Sequence, residues 1–137
     1  MTRLLKIAQA ARSAMEHYVS NTEDLMFGGF PMGTCGPVSE LLGRYLIEAG
    51  FADVMYICGE KRGHGSHAWV EVSGVVLDIT GDQFGQPPVV VVTTSLWHDE
   101  WEREEPRPLI CSQEQWPAYP FGAWRALKDG IDASFEH

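Results

Sequence analysis

The chain has 137 residues, 45% of them apolar and 21% charged, and a formal net charge of −9 at neutral pH. This length and composition predict a single globular domain, residues 1–137, with one hydrophobic core. The acidic balance argues against nonspecific binding to nucleic acid, and no apolar run has the length of a membrane span. The cysteines, three in number and widely spaced, favour a reducing cytoplasmic compartment over a disulfide framework.

Two amphipathic helices are predicted in the first fifty residues. Apolar residues recur at helical spacing over residues 3–18, and again from Val38 to Ala49, where Gly50 provides a C-terminal stop. The segment MFGGFPMGTCG between them predicts a loop, and Pro37 fits only the first turn of the second helix. Cys35 therefore stands at the start of that helix.

Short runs of β-type composition follow the helices: DVMYICG, HAWVEV, VVLDIT and PVVVVTT. Helices first and strands second predict an α+β fold with an antiparallel sheet. We expect residues 29–94 to form the functional core and residues 95–137 to form a C-terminal extension. In that extension Trp97 and Trp101 are four apart, which predicts a short helix packed on the body.

The register of one hairpin decides which side chains share a face of the sheet. Ser73 and Gly74 suit a two-residue loop, which would put Val72 opposite Val75 and make one face entirely apolar. The other face would carry His67, Trp69, Glu71, Val76, Asp78 and Thr80. His67 and Asp78 then become diagonal neighbours with Cα atoms about 7–8 Å apart, within reach of a side-chain hydrogen bond.

Cys35 has the setting of a reactive thiol. The N–H groups and dipole of a helix start favour a thiolate, and the flanking glycines let another group approach the backbone. A nucleophilic cysteine needs a base and a group that orients the base. We assign His67 as general base and then acid, and Asp78 as the carboxylate that fixes its tautomer. The competing interpretation makes all three residues structural: a buried thiol, a bonded histidine and a turn carboxylate.

The segments TCGPVSELL, HAWVEV and LDITGDQF, within residues 33–84, resemble the papain-like superfamily in its transglutaminase-like branch. They are also similar to small bacterial papain-fold toxin-type domains. In that branch a Cys at a helix N-terminus precedes a His and an Asp on adjacent antiparallel strands. The resemblance implies a papain-like core with N-terminal helices on the sheet. It also implies acyl transfer through a thioester by Cys35, His67 and Asp78, on a protein or peptide, without cofactor or metal.

Further candidates to line the cleft or contact the substrate are Thr34, Gly36, Trp69 and Gln83. Trp69 either shields the His–Asp pair from water or packs as an ordinary core aromatic. Gln83 either donates to the substrate or caps a loop. Papain itself has a Gln ahead of its Cys as an oxyanion donor. Here the only upstream Gln is Gln9, inside the first predicted helix, so the backbone N–H of Cys35 is the default donor.

The sequence leaves several functions open. Hydrolysis of an amide, as in a protease or a glutamine deamidase, is favoured, and transfer of the acyl group to an amine is the alternative within the class. A metal site on His64 and His67 is a rival, although no C-x-x-C or H-E-x-x-H pattern is present. Its further ligands would be Cys35, Cys58, Asp78 or His98.

Another rival is a non-enzymatic protein-binding module that has kept the fold. The acidic charge and the tryptophans would suit a partner-binding protein. As for the place of action, we expect the cytoplasm, or another cell if a separate system delivers the protein as a secreted effector or toxin.

Overall fold

The structure is a computed structural model, and it describes residues 1–136. Its elements are, in chain order, α1 (Thr2–Asn21), α2 (Cys35–Glu48), β1 (Val54–Lys61), β2 (Gly65–Val72), β3 (Val75–Asp78), β4 (Val90–Val92), α3 (Leu96–Asp99), β5 (Glu102–Arg103) and α4 (Phe121–Ser134). A 3-10 helix, Gly81–Phe84, lies between β3 and β4. The fold is α+β, as predicted. No helix among residues 1–136 is both long and apolar enough to cross a membrane.

The sheet has the strand order β4–β3–β2–β1–β5, and all neighbouring strands are antiparallel. The β2–β3 hairpin has the predicted two-residue loop, because Val72 is opposite Val75. Ser73 and Gly74 have φ values of 48° and 84°, and two consecutive positive φ values are what the tightest hairpin turns require. The predicted register is therefore confirmed.

One face of the sheet is buried beneath helices. α1 and α2 pack on the sheet, and α4 packs against both of them. The resulting core is mainly aliphatic and includes Ile7, Met15, Leu41, Leu42, Leu46, Val70, Val72, Leu77, Ile79, Leu127 and Ile131. The burial of apolar residues from α1 and α2 in this core thus confirms both predicted amphipathic helices.

The opposite face of the sheet carries a smaller cluster without long helices over it. Its buried members are Ile57, Trp69, Val76 and Trp101, with Met55, Phe84, Val92 and Trp97 partly buried around them. Phe84, Trp97 and Trp101 come from the connections that follow β3 and β4. This second cluster surrounds the buried polar residues described below.

The segment after residue 94 is integral to both clusters. The predicted short helix is α3, and the strand β5 that follows it pairs with the edge strand β1. β5 and α4 are not predicted from the sequence. α4 contributes Trp124, Leu127 and Ile131 to the aliphatic core. It lies close to α1, since a Cβ on Gly130 would stand 2.7 Å from the Cβ of Ala14.

Candidate active site

Cys35 is the first residue of α2, as the sequence predicted. Thr34 precedes it as N-cap but does not cap the helix with its side chain; its hydroxyl donates to the carbonyl of Pro31 at 3.0 Å. Thr34 is only 1% exposed, so its side chain supports the loop and does not line a cleft, which corrects our expectation for this residue. The N–H groups of the first turn remain available to an anion beside Cys35.

His67 and Asp78 are hydrogen-bonded to each other inside the protein. Nε2 of His67 lies 2.7 Å from Oδ2 of Asp78, and the side chains are 0% and 1% exposed. The second carboxylate oxygen accepts the backbone N–H of Thr80 at 3.0 Å. His67 lies near the start of β2 and Asp78 ends β3, which is the diagonal relation that the hairpin register predicted.

The pKa of Cys35 is lowered and that of His67 is raised, and both shifts favour the charged form of the side chain. Burial raises the pKa of the Cys35 thiol, but His67 and the N–H groups of Ala68 and Gly36 outweigh burial and bring that pKa below its ordinary value. Burial lowers the pKa of His67, while Asp78 and Cys35 raise it, to about 9 overall. A thiolate beside an imidazolium is therefore the favoured state of the pair near neutral pH.

The other two cysteines behave in the opposite way. Burial, followed by the carboxylate of Glu104, raises the pKa of Cys58 to about 11. Burial also raises the pKa of Cys111. Both thiols stay protonated at neutral pH.

Asp78 remains a carboxylate despite its burial. Desolvation raises its pKa, but the hydrogen bonds from His67, His98 and the Thr80 N–H hold that pKa well below its usual range. Asp78 therefore accepts hydrogen bonds and does not take the proton of His67.

Gln83 lies between the Cys35 loop and His67. Its Oε1 accepts the backbone N–H of Gly33 at 3.4 Å, and its Nε2 lies 3.5 Å from Nδ1 of His67. Because the carbonyl end is turned to Gly33, the NH₂ end is the one that faces the site. One end of the amide thus contacts the loop before Cys35, and the other end contacts His67.

Aromatic rings enclose the imidazole of His67. The ring centroids of Trp69, Phe84, Trp97 and Trp101 lie 5.1–5.7 Å from that of His67. Trp69 is 0% exposed, and its Nε1 donates to Glu71 at 3.1 Å. It is a core aromatic that also excludes water from the His67–Asp78 pair, so both roles considered for it hold together.

A buried arginine secures the segment that follows Asp78. Arg12 of α1 donates to the carbonyl of Ile79 at 2.8 Å and to both carboxylate oxygens of Asp82 at 2.8 and 2.9 Å. Arg12 is a site residue that was not predicted from the sequence. A signal was present, since a basic residue at this position adjoins the buried stripe of α1.

His98 is a further residue that the sequence analysis placed only in the metal alternative. It is 1% exposed, and its Nε2 lies 2.7 Å from the same Asp78 oxygen that contacts His67. Its Nδ1 lies 2.6 Å from the hydroxyl of Ser95, the N-cap of α3. The S-x-x-H spacing was the available signal, because a Ser N-cap and the third helical residue are within hydrogen-bonding reach.

A metal site would have to use these same residues. Within residues 1–136, the one group of three donors close enough for a metal is His67, Asp78 and His98, with ligand atoms within 4.8 Å of one another. His64, the centre of the predicted rival, is exposed in a turn and outside this group. Both buried rings approach one oxygen at the distance of a charge-assisted hydrogen bond, which fits proton donors better than metal ligands.

A groove of about 330 Å³ has Gly36, the residue that follows Cys35, in its lining. It is lined by Gly36, Pro37, Glu40, Tyr56, Arg107, Ile110, Gln115 and Trp116. A Cβ at Gly36 would stand 3.4 Å from the hydroxyl of Tyr56, so little room separates the two residues. Gly36 therefore lines a cleft, as expected. A larger cavity of about 690 Å³ lies between α1 and α4, and its lining includes neither Cys35, His67 nor Asp78.

Comparisons with protein-family models, with curated proteins and with solved structures find no match for this chain. Its function is therefore inferred from its own residues.

Proposed function

We propose that this protein is a cysteine amidase with a papain-like, transglutaminase-like core, in which Cys35 attacks an amide carbonyl of a protein or peptide. The observation that carries the proposal is the buried hydrogen bond between His67 and Asp78, together with the interaction of His67 with the Cys35 thiol at a helix start. The lowered pKa of Cys35 and the raised pKa of His67 support it, because a cysteine hydrolase needs this thiolate–imidazolium pair.

The reaction has two halves. The Cys35 thiolate attacks the amide carbon, and the carbonyl oxygen becomes an oxyanion. As that oxyanion collapses, the C–N bond breaks and His67 gives its proton to the departing amine, which leaves a thioester on Cys35. A water molecule then attacks the thioester while His67 takes its proton. Cys35 leaves as the thiolate, the product is a carboxylic acid, and Asp78 stabilises the imidazolium each time it forms.

Two donors suit the oxyanion. The first is the backbone N–H of Cys35 at the start of α2. The second is the NH₂ group of Gln83, whose direction is set by the bond from Gly33 to its carbonyl. When His67 is protonated, its Nδ1 no longer accepts a hydrogen bond, and the amide of Gln83 becomes free to donate to a substrate oxygen.

The groove lined by Gly36 suits the side chain next to the scissile amide. Tyr56 and Trp116 offer aromatic surfaces, and the guanidinium of Arg107 lies 3.8 Å from the centroid of the Tyr56 ring. Glu40 forms an ion pair with Arg107, so the cation is already neutralised. Burial raises the pKa of Tyr56 to about 12, which keeps its phenol neutral as a hydrogen-bond donor. An apolar or aromatic side chain with a polar end fits this lining best.

Selective alkylation tests the nucleophile. In folded protein at pH 6, iodoacetamide should modify Cys35 at least about tenfold faster than Cys58 or Cys111, because only the Cys35 pKa is lowered. Peptide mapping by mass spectrometry gives the three rates. Cys58→Ser is the matched control and should leave the rate at Cys35 unchanged. Equal rates at the three thiols would remove the nucleophile from the proposal.

Product analysis tests the reaction. The protein is incubated with a proteome-derived peptide pool in H₂¹⁸O, and peptides that change are compared with those from the Cys35→Ala variant. Hydrolysis leaves one ¹⁸O in a new carboxyl group, at a cleaved bond or at a former glutamine amide. Incorporation of an added amine instead of ¹⁸O would replace hydrolysis by acyl transfer. A pool that Cys35→Ala and wild type treat alike would contradict the enzyme proposal.

A further inference from the structure

One carboxylate oxygen of Asp78 accepts hydrogen bonds from two histidines. Oδ2 of Asp78 lies 2.7 Å from Nε2 of His67 and 2.7 Å from Nε2 of His98, and no side chain of the three is more than 1% exposed. His98 is on α3, outside the hairpin that brings His67 and Asp78 together. The sheet register therefore explains the contact between His67 and Asp78 but not the contact between His98 and Asp78.

The hydroxyl of Ser95 fixes the protons on His98. Its oxygen accepts the backbone N–H of His98 at 3.1 Å and lies 2.6 Å from Nδ1 of the same residue. The hydroxyl proton is then free to bond Nδ1, which makes Nδ1 the acceptor and leaves the ring proton on Nε2. The opposite tautomer would turn a bare nitrogen toward the Asp78 carboxylate. His98 thus donates the N–H of Nε2 to Asp78.

Two donors on one oxygen compete for its negative charge. Each hydrogen bond polarises the oxygen, so the bond from His67 is weaker than it would be if Asp78 had no other partner on that atom. The second oxygen of the carboxylate is held by the Thr80 N–H, which prevents the group from turning away. His98 therefore both anchors the carboxylate and limits its hold on His67.

We propose that His98 is a positioning residue of the Cys35 site, which holds the Asp78 carboxylate toward His67 and draws off part of the charge that Asp78 presents to it. The catalytic meaning of this inference rests on the proposed function, whereas the coupling between the two histidines rests on the hydrogen bonds alone.

Few other charged groups face this network. Cys35 of α2 and Asp78 of β3 are the titratable neighbours of His67, and the remaining walls are the rings of Trp69, Trp97, Trp101 and Phe84. Four charged or titratable side chains lie behind those rings, and one of them, Glu71, accepts the ring N–H of Trp69 at 3.1 Å. Lys61 is 5.9 Å from the Trp97 and Trp101 centroids, Arg103 is 5.3 Å from that of Trp69, and His64 packs on Phe84 and Trp101.

The test is an NMR titration of the His67 ring in wild type and in three His98-directed variants. His98→Phe removes the donor, and we expect the His67 pKa to rise by roughly half a pH unit, about threefold in the protonation equilibrium. His98→Gln restores an N–H donor and should return the value to that of wild type. Ser95→Ala keeps the ring but frees its tautomer, and it should shift the pKa upward by less. His64→Phe is the matched control, because His64 packs on Phe84 and Trp101, two of the rings around His67, but does not contact Asp78.

Each other outcome overturns the inference. A fall or no change in the His67 pKa in both His98→Phe and Ser95→Ala would show that His98 does not compete for Asp78. A shift in His98→Gln equal to that in His98→Phe would show a packing effect. Stoichiometric metal in purified wild type, lost in His98→Gln, would make both rings ligands instead of donors. The titration needs no turnover, so an unreactive Cys35 would defeat the proposed function while leaving this result readable.

Discussion

The two faces of the sheet are buried in different ways. The helix-covered face is closed by α1, α2 and α4 and contains mainly aliphatic side chains. The opposite face is closed by short connections that bring in aromatic rings, and beneath those rings lie His67, Asp78 and His98. One face therefore has the composition of an ordinary core, whereas the other buries three titratable groups in a single network.

This difference predicts that one face contributes mainly to the stability of the fold and the other mainly to the ionisation of Cys35. A buried ion pair or charged network often contributes little net stability, since desolvation offsets the attraction, and apolar side chains of similar size can replace it without loss. A network of this kind beside a thiol with a lowered pKa is instead typical of a functional site. We therefore expect changes on the helix-covered face to alter unfolding, and changes on the opposite face to alter the ionisation of Cys35.

Leu46→Ala should have the largest energetic effect. Leu46 is 0% exposed in the middle of the aliphatic core, and truncation of a buried leucine costs about 2–5 kcal/mol through lost burial and the remaining cavity. Urea unfolding gives the change in free energy. Leu25, which is 97% exposed, provides the control, since Leu25→Ala should stay within about 0.5 kcal/mol of wild type.

The same variant sharpens the comparison of the faces. In conditions where Leu46→Ala is still folded, the pH profile of Cys35 alkylation should match that of wild type. A shifted profile would mean that the two faces are not independent.

Asp78→Asn should have the next largest effect, this time on ionisation. Without the carboxylate charge the pKa of His67 falls and that of Cys35 rises, so alkylation of Cys35 at pH 6 should slow by about tenfold to a hundredfold. In energy this corresponds to about 1.4–2.8 kcal/mol. The measurement is the alkylation rate from pH 5 to 10.

The control for Asp78→Asn must be an aspartate without a structural partner. Asp82 is unsuitable, because its carboxylate binds the buried Arg12. Asp129 is exposed on α4, and Asp129→Asn should leave the profile unchanged. If Asp78→Asn and wild type gave superimposable profiles, Asp78 would not be the group that orients His67.

The elements predicted from the sequence are those with a strong local signal. The two amphipathic helices and the β2–β3 hairpin follow from periodicity and from a turn dipeptide, and the His67–Asp78 contact follows from the hairpin register. α4 was missed although Ala123, Trp124, Leu127 and Ile131 recur at helical spacing, and β5 was missed because two residues carry no detectable period.

Contacts between distant segments could not be predicted. His98 and Arg12 reach the site from α3 and α1, and their partners lie 20 and 70 residues away in the chain. Nothing in the local sequence of either residue specifies such a partner. A buried polar residue at the edge of an apolar pattern indicates only that some partner exists, because an unpaired charge there would be too costly.

The pH dependence of stability provides the smallest and most specific test, in Cys35→Ala. The pKa of His67 in the folded state, about 9, is above its unfolded value of about 6.5, so its contribution to stability is complete below pH 6.5 and is lost as the pH rises toward 9. The pKa of Cys35 is lowered by folding, so the thiolate contributes increasingly above its folded pKa. In wild type the two contributions oppose each other. In the folded state the pair is a thiolate and an imidazolium, which together hold one titrating proton. In the unfolded state it is a thiol and a neutral imidazole, which also hold one.

Cys35→Ala removes the contribution of the thiolate and one of the two groups that raise the pKa of His67, while Asp78 still raises that pKa. Its free energy of unfolding should fall more steeply than that of wild type between pH 6.5 and 8.5, by at most about 1.4 kcal/mol per pH unit, which is the slope for one proton. Urea unfolding at pH 6.5, 7.5 and 8.5 gives the two slopes. Cys58→Ala is the control, because the pKa of Cys58 is raised by folding and its thiol stays protonated over this range. Parallel curves for wild type and Cys35→Ala would mean that folding does not couple the ionisation of the Cys35 thiol to that of His67. The opposite face of the sheet would then differ from the helix-covered face in composition only.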